Sequence, residues 1–236
     1  MIYNNKKELA QNDSQNDENS GGANYSEGGK YLESKIIAFY IVSAVMLSGI
    51  DFYFCYKAFQ KDEPFAKFLG FSALAAGIVT LGYMFSIQTE TYLYVSIASS
   101  IYFIGIDWML VSLVHFVHSF TESPSFRRSN IPMKIAIGYA LFDTAVMLVN
   151  IFFEIAVHYV REDRSIAFFS YEMKPLYVMH LIFSYIIVAV IIYILIYKTV
   201  KTPRHYRMPF ILNIIAIAFI VLINAIFLFP AGDSPI

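Results

Sequence analysis

Residues 92–121, YLYVSIASSIYFIGIDWMLVSLVHFVHSFT, are the longest apolar run in the chain and enclose an acid, Asp107. At 3.6 residues per turn, Ser96, Ser100, Asp107 and His118 fall within roughly 40° of one another, while Ile101, Ile104, Met109 and Leu113 point elsewhere. The run therefore predicts a membrane-crossing helix with a polar seam. A carboxylic acid near the bilayer centre costs about 2.5–3.5 kcal/mol on insertion scales, so it is kept where it faces a bundle interior, a cavity or a partner. The remaining helices are expected to pack around this one.

Composition agrees with that reading. Hydrophobic residues make up 58% of the 236 and charged residues only 15%, which excludes a nucleic-acid binder and a disordered chain and leaves an integral membrane protein. The lone Cys55 cannot form an internal disulfide or a cysteine-type zinc site. Residues 1–35 are polar and rich in Asn, Ser and Gly, and are expected to be a disordered tail without a cleavable signal peptide. Two glycosylation sequons in that tail, at Asn12 and Asn24, match by chance composition.

Charged or proline-bearing breaks divide the rest into six runs, 36–56, 68–87, 93–120, 135–153, 176–197 and 208–229, each near the roughly 20 residues that cross a bilayer. The expected fold is all-α, a polytopic bundle of six transmembrane helices, with residues 230–236 as a short external tail. The breaks after runs one, three and five carry ten Lys or Arg residues, against three (Arg161, Arg164 and Lys174) after runs two and four and in the C-terminal tail. By the positive-inside rule the first set is cytoplasmic and both termini are outside, in a plasma (inner) membrane protein.

Polar residues inside the runs are the candidate functional groups. Asp51 lies near the cytoplasmic end of run one, within reach of headgroups or Lys57. Asp107, beside Trp108, is deeper. Asp143 is central in run four, flanked by Thr144 and followed by Asn150, and two buried acids in contact would not both ionise. Counting along the helices from the break at Thr121 to Lys134 makes Asn150 the nearer match in height to Asp107, with Asp143 the other choice. His180, near the start of run five, is a candidate for pH sensing. The candidate sensing or bundle-polar residues are therefore Ser100, Asp107, Trp108, Asp143, Asn150 and His180.

His115, His118 and Glu122 have a spacing that could present three metal ligands, yet the helix dipole already favours cations at that end, and no metal or cofactor is expected. The stretch Ile166–Tyr171 is too apolar for a solvated loop and is expected to fold back over the outer mouth or lie on the membrane surface. HExxH, GxSxG, P-loop and dinucleotide-binding patterns are absent, as is any lysine within the six runs, so hydrolase, nucleotide-binding and retinal-type readings have no support.

The segments SSIYFIGIDWMLVSLVHFVHSFT (99–121), KTPRHYRMPFILN (201–213) and INAIFLFP (223–230) together resemble the N-terminal seven-transmembrane sensory region of bacterial histidine kinases and GGDEF diguanylate cyclases. The resemblance covers nearly the whole chain after the tail, with six of seven helices. It implies a non-enzymatic sensory input module that passes a signal, from a small ligand or the membrane itself, to a cytoplasmic output domain or partner protein. On that reading the chain stops short of a seventh helix, and a homodimer is an admissible assembly. The alternative is a small six-helix transporter or channel lined by Asp107, Asp143 and Asn150. Broken helices or an inverted repeat would favour it, and neither is evident.

Overall fold

The computed structural model describes residues 35–121, 131–161 and 169–228. The tails expected over 1–35 and 230–236 fall outside them except for Lys35. Six helices run through these residues: α1 (Lys35–Phe59), α2 (Pro64–Gln88), α3 (Tyr92–Thr121), α4 (Ile131–Phe153), α5 (Pro175–Lys201) and α6 (Met208–Leu228). α1 to α5 contain segments long and apolar enough to span a membrane, and α6 is an apolar helix of 21 residues. The fold is thus a helical membrane bundle.

Helix starts lie earlier than the apolar runs suggest. Pro175 opens α5, and Pro64 opens α2 rather than merely ending what precedes it, because the first turn of a helix has no partner for its N–H groups. α4 begins at Ile131, four residues before the apolar run does.

The outside of the bundle is apolar and the polar groups are inside. Phe39, Phe152, Phe153 and Tyr193 are all exposed, as a lipid-facing surface requires, whereas Ser48, Ser96, Ser100, Asp107, Asp143, Asn150 and His180 are buried. α3 is the central element. Half of its best apolar window is buried within the protein, against about a tenth for α1. It packs on α2, α4 and α5, and α6 packs on α5, while α4 and α5 meet only sparingly.

One segment departs from an all-helical fold. Between α4 and α5 the chain forms an antiparallel hairpin of β1 (Val157–Arg161) and β2 (Phe169–Met173), with Val157 opposite Met173 and Tyr159 opposite Tyr171. Val157 and Tyr159 point inward and are buried with Val95, Phe103, Val146 and Met147. Of the segment Ile166–Tyr171, expected to fold back over the outer mouth or lie on the membrane surface, Phe169–Tyr171 belong to the second strand and 166–168 lie outside the described residues; the hairpin roofs one end of the bundle. Its alternation of inward Val and Tyr with outward His and Val is the two-residue period of a half-buried strand.

α2 and α3 cross closely because glycine sits at the contact. A Cβ on Gly82 would lie 3.1 Å from the backbone nitrogen of Tyr102, and one on Gly105 would lie 2.6 Å from Val79 Cγ2. Small residues at such crossings let backbones approach where lipid supplies no hydrophobic drive. Gly49 and Gly138, by contrast, have open space around them. Gly82→Val is expected to destabilise the bundle by about 1–3 kcal/mol through overpacking, and Gly138→Ala to leave stability unchanged or slightly raised. Thermal unfolding in detergent measures both, and equal shifts would contradict the close crossing.

Candidate functional site

α3, α4 and α5 each present one titratable side chain at the same level of the bundle interior. Asp107 comes from α3, Asp143 from α4 and His180 from α5, and each is 2% exposed. Ligand-capable atoms of the three all lie within 4.8 Å of one another. His180 Nδ1 is 2.8 Å from Asp143 Oδ2 and 3.5 Å from Asp107 Oδ1. One ring nitrogen carries one hydrogen, so the short contact is the hydrogen bond, donated by His180 to Asp143. Among the described residues neither buried oxygen of Asp107 meets an N–H or O–H donor, and its carboxyl faces that of Asp143.

The surroundings fix these three groups. Tyr177, one turn before His180 on α5, stacks on the imidazole with centroids 5.6 Å apart, and Phe103, one turn before Asp107 on α3, meets its edge at 5.7 Å. Tyr139, four residues before Asp143, stacks on Phe183 of α5 at 3.7 Å and turns its hydroxyl toward Asp143. Trp108 Nε1 donates to Thr144 Oγ1 at 3.2 Å and Ser100 Oγ donates to the Met147 carbonyl at 3.0 Å, fastening α3 to α4 on either side of the cluster. The backbones of α4 and α5 approach each other little, and the His180–Asp143 bond and the Tyr139–Phe183 stack link them within the membrane.

Asp143, and not Asn150, therefore faces Asp107. The height count from the break fails because α4 starts at Ile131. Asp143 stands 12 residues into that helix, about 18 Å, against 14 residues or about 21 Å for Asp107 above Thr121. Asn150 serves elsewhere. Its Oδ1 accepts from the backbone N–H groups of Ala156 and Val157, at 2.7 and 3.0 Å, and turns the chain from α4 into β1. Ser96 is fully buried on the same face of α3. Asp51 is half-buried on α1, away from the cluster. His115 stacks on Phe68 at 4.9 Å, and Glu122 lies outside the described residues.

A second group, at the hairpin end, was not legible as a site. Glu154 ends α4 in the left-handed conformation, φ 49°. Its carboxylate accepts from the Tyr92 hydroxyl at the start of α3 and pairs with His158 of β1, while Lys174 Nζ donates to its carbonyl. These contacts clasp the hairpin to α3. The Tyr92 and His158 hydrogen bonds hold the Glu154 carboxyl below the usual carboxylate range. A positively turned, non-glycine residue just past a helix is the one local signal that would have singled it out, and it is visible only in the backbone.

The buried cluster sets an electrostatic demand. Two carboxylates within 4.8 Å repel by about 3–4 kcal/mol at an effective dielectric of about 20, and neither can be left unpaired at low cost in this setting. Positive charge must therefore reside there, as protons or as a cation.

A family described as the N-terminal 7TM region of histidine kinase matches residues 39–235. No curated protein and no solved structure matches the chain.

Asp143→Leu is expected to cost about 1–2 kcal/mol, as for other intramembrane hydrogen bonds, because it strands His180, whereas Asp107→Asn leaves the His180–Asp143 bond in place and, as an amide that can donate to Asp143, should keep near-native stability. Unfolding in detergent separates the two, and equal losses would argue against the assigned bond. For Glu154 the sign follows from a folded-state pKa below the ordinary 4.5. Its stabilisation is fully present above that value and is lost as pH falls through the depressed one. The melting-temperature gap between the wild type and Glu154→Gln should be widest at neutral pH and close in acid, and a gap independent of pH would count against the clasp.

Proposed function

The chain belongs to the N-terminal 7TM regions of histidine kinases, and from that premise we propose that it is a membrane sensory input module whose state passes to a cytoplasmic output domain or partner protein. The family match over residues 39–235 carries this reading. The geometry supplies a place where a state can be set. Asp107, Asp143 and His180 link three helices at one buried point, so a change in what neutralises them bears on all three. α5 then runs unbroken from His180 to Lys201, a rigid lever about 32 Å long. Lever-like shifts of packed helices are a recognised way for sites to communicate.

The basic residues orient the lever. Lys198, Lys201, Arg204 and Arg207 lie at or just past the end of α5 opposite the hairpin, and by the positive-inside rule they support a cytoplasmic location for that end and an outer one for the hairpin. Continuous described helices give no support to a transport path, which would be expected at interrupted ones.

The test compares membranes from cells carrying the wild-type chain, the Asp107→Asn variant and a deletion, reading phosphohistidine on kinases and phosphorylation of their response regulators. A change of at least about fivefold between wild type and Asp107→Asn is expected, the lower end of ordinary allosteric coupling. Identical phosphorylation in all three strains would overturn the sensory reading.

A further inference from the structure

Asp107 is the unexplained member of the buried cluster. Asp143 has the His180 proton to accept, but among the described residues the two Asp107 oxygens, at 2% exposure, meet no N–H or O–H donor beyond a proton shared with the Asp143 carboxyl. A buried carboxyl facing another acid is costly unless a proton, a water or an ion completes it. The Tyr139 hydroxyl, also buried, turns toward the Asp143 carboxylate at the same point.

We propose that Asp107, Asp143 and His180 form a binding site for a divalent first-row transition cation, zinc above all, in the interior of the membrane bundle. The donor set is two carboxylate oxygens and one imidazole nitrogen. Bonds of about 2.0–2.2 Å in tetrahedral array separate ligand atoms by about 3.3–3.6 Å. The 3.5 Å between His180 Nδ1 and Asp107 Oδ1 already has that spacing, and the 2.8 Å to Asp143 Oδ2 needs to open by well under 1 Å when the ring gives up its Nδ1 proton. Three protein ligands leave a fourth position, beside Tyr139, for water or the tyrosine hydroxyl.

Charge favours the same occupant. Two carboxylates, a neutral imidazole and a dication sum to zero, which removes the repulsion within the site and the cost of an ion facing lipid-like surroundings. Magnesium and calcium fit poorly, because they prefer six or more oxygen ligands and the site offers few oxygens and a nitrogen. The aromatic wall of Phe103 and Tyr177 holds the imidazole in place as a supporting shell would. This inference rests on the cluster alone, so metal binding and signalling succeed or fail separately.

The experiment uses the whole chain, purified in detergent through a histidine-free tag, dialysed against micromolar zinc and rinsed before elemental analysis. About one zinc per chain is expected. Asp107→Asn and His180→Gln should bind at least about tenfold more weakly, while Cys55→Ala and His115→Ala should match the wild type. Should His180→Gln fail to fold, Asp107→Asn still decides, since it leaves the His180–Asp143 bond in place. Cobalt supplies a second readout, with visible d–d absorption of a four-coordinate site in the wild type and its loss in Asp107→Asn. Wild-type zinc no higher than that of Asp107→Asn would overturn the proposal, and so would full binding in both ligand variants.

Discussion

A lipid bilayer offers no donor or acceptor to a buried polar group, so the hydrogen bond from His180 to Asp143 constrains the rest of the bundle. Lipid tails are as apolar as leucine, and helices gain little by exchanging lipid contact for contact with one another. Their arrangement must be chosen by polar pairing and by close backbone approach. This chain uses both. Glycine and alanine draw α2 against α3, and the Asp107–Asp143–His180 cluster draws α4 and α5 to the opposite side of α3.

The two devices differ in what they permit. The α2–α3 crossing depends on steric fit around Gly82 and Gly105, with no charge or proton to change, and it is a fixed base. The α4–α5 junction is different. The backbones of those helices approach each other little, and they are linked by a hydrogen bond and an aromatic stack beside a second buried acid. Any change in the charge or occupancy of that space alters the junction directly. The hairpin limits how far it can open, because Asn150 and the Glu154 clasp tie the top of α4 to β1, β2 and the start of α3.

Much of this was readable from the residues. The apolar runs marked the helices, the seam of Ser96, Ser100 and Asp107 marked the buried face of α3, and Asp143 was one of two named partners for Asp107. What escaped was set by features beyond hydropathy. Height along the helix, counted from Lys134, favours Asn150 over Asp143 only because helix α4 begins earlier, at Ile131, a boundary that this charged residue obscures. His180 stood out as an isolated histidine, and only the fold shows that the turn after α4 returns it to the level of Asp143. The hairpin was hidden because a five-residue strand has little periodicity to show, and the Glu154 clasp because its geometry hangs on one left-handed residue. Lys57, a sequence-level partner for Asp51, instead lies over the rings of Tyr53 and Tyr56.

The central claim is that a specific bond across α4 and α5 holds the interior together. A double-mutant cycle between Asp143→Ala and His180→Ala, with unfolding measured in bicelles, tests it most directly, since the cycle removes each side chain's own effect from the coupling. The account predicts a favourable coupling of about 1–2 kcal/mol, in the upper range for intramembrane pairs. Additive effects, with no coupling between the two positions, would contradict it.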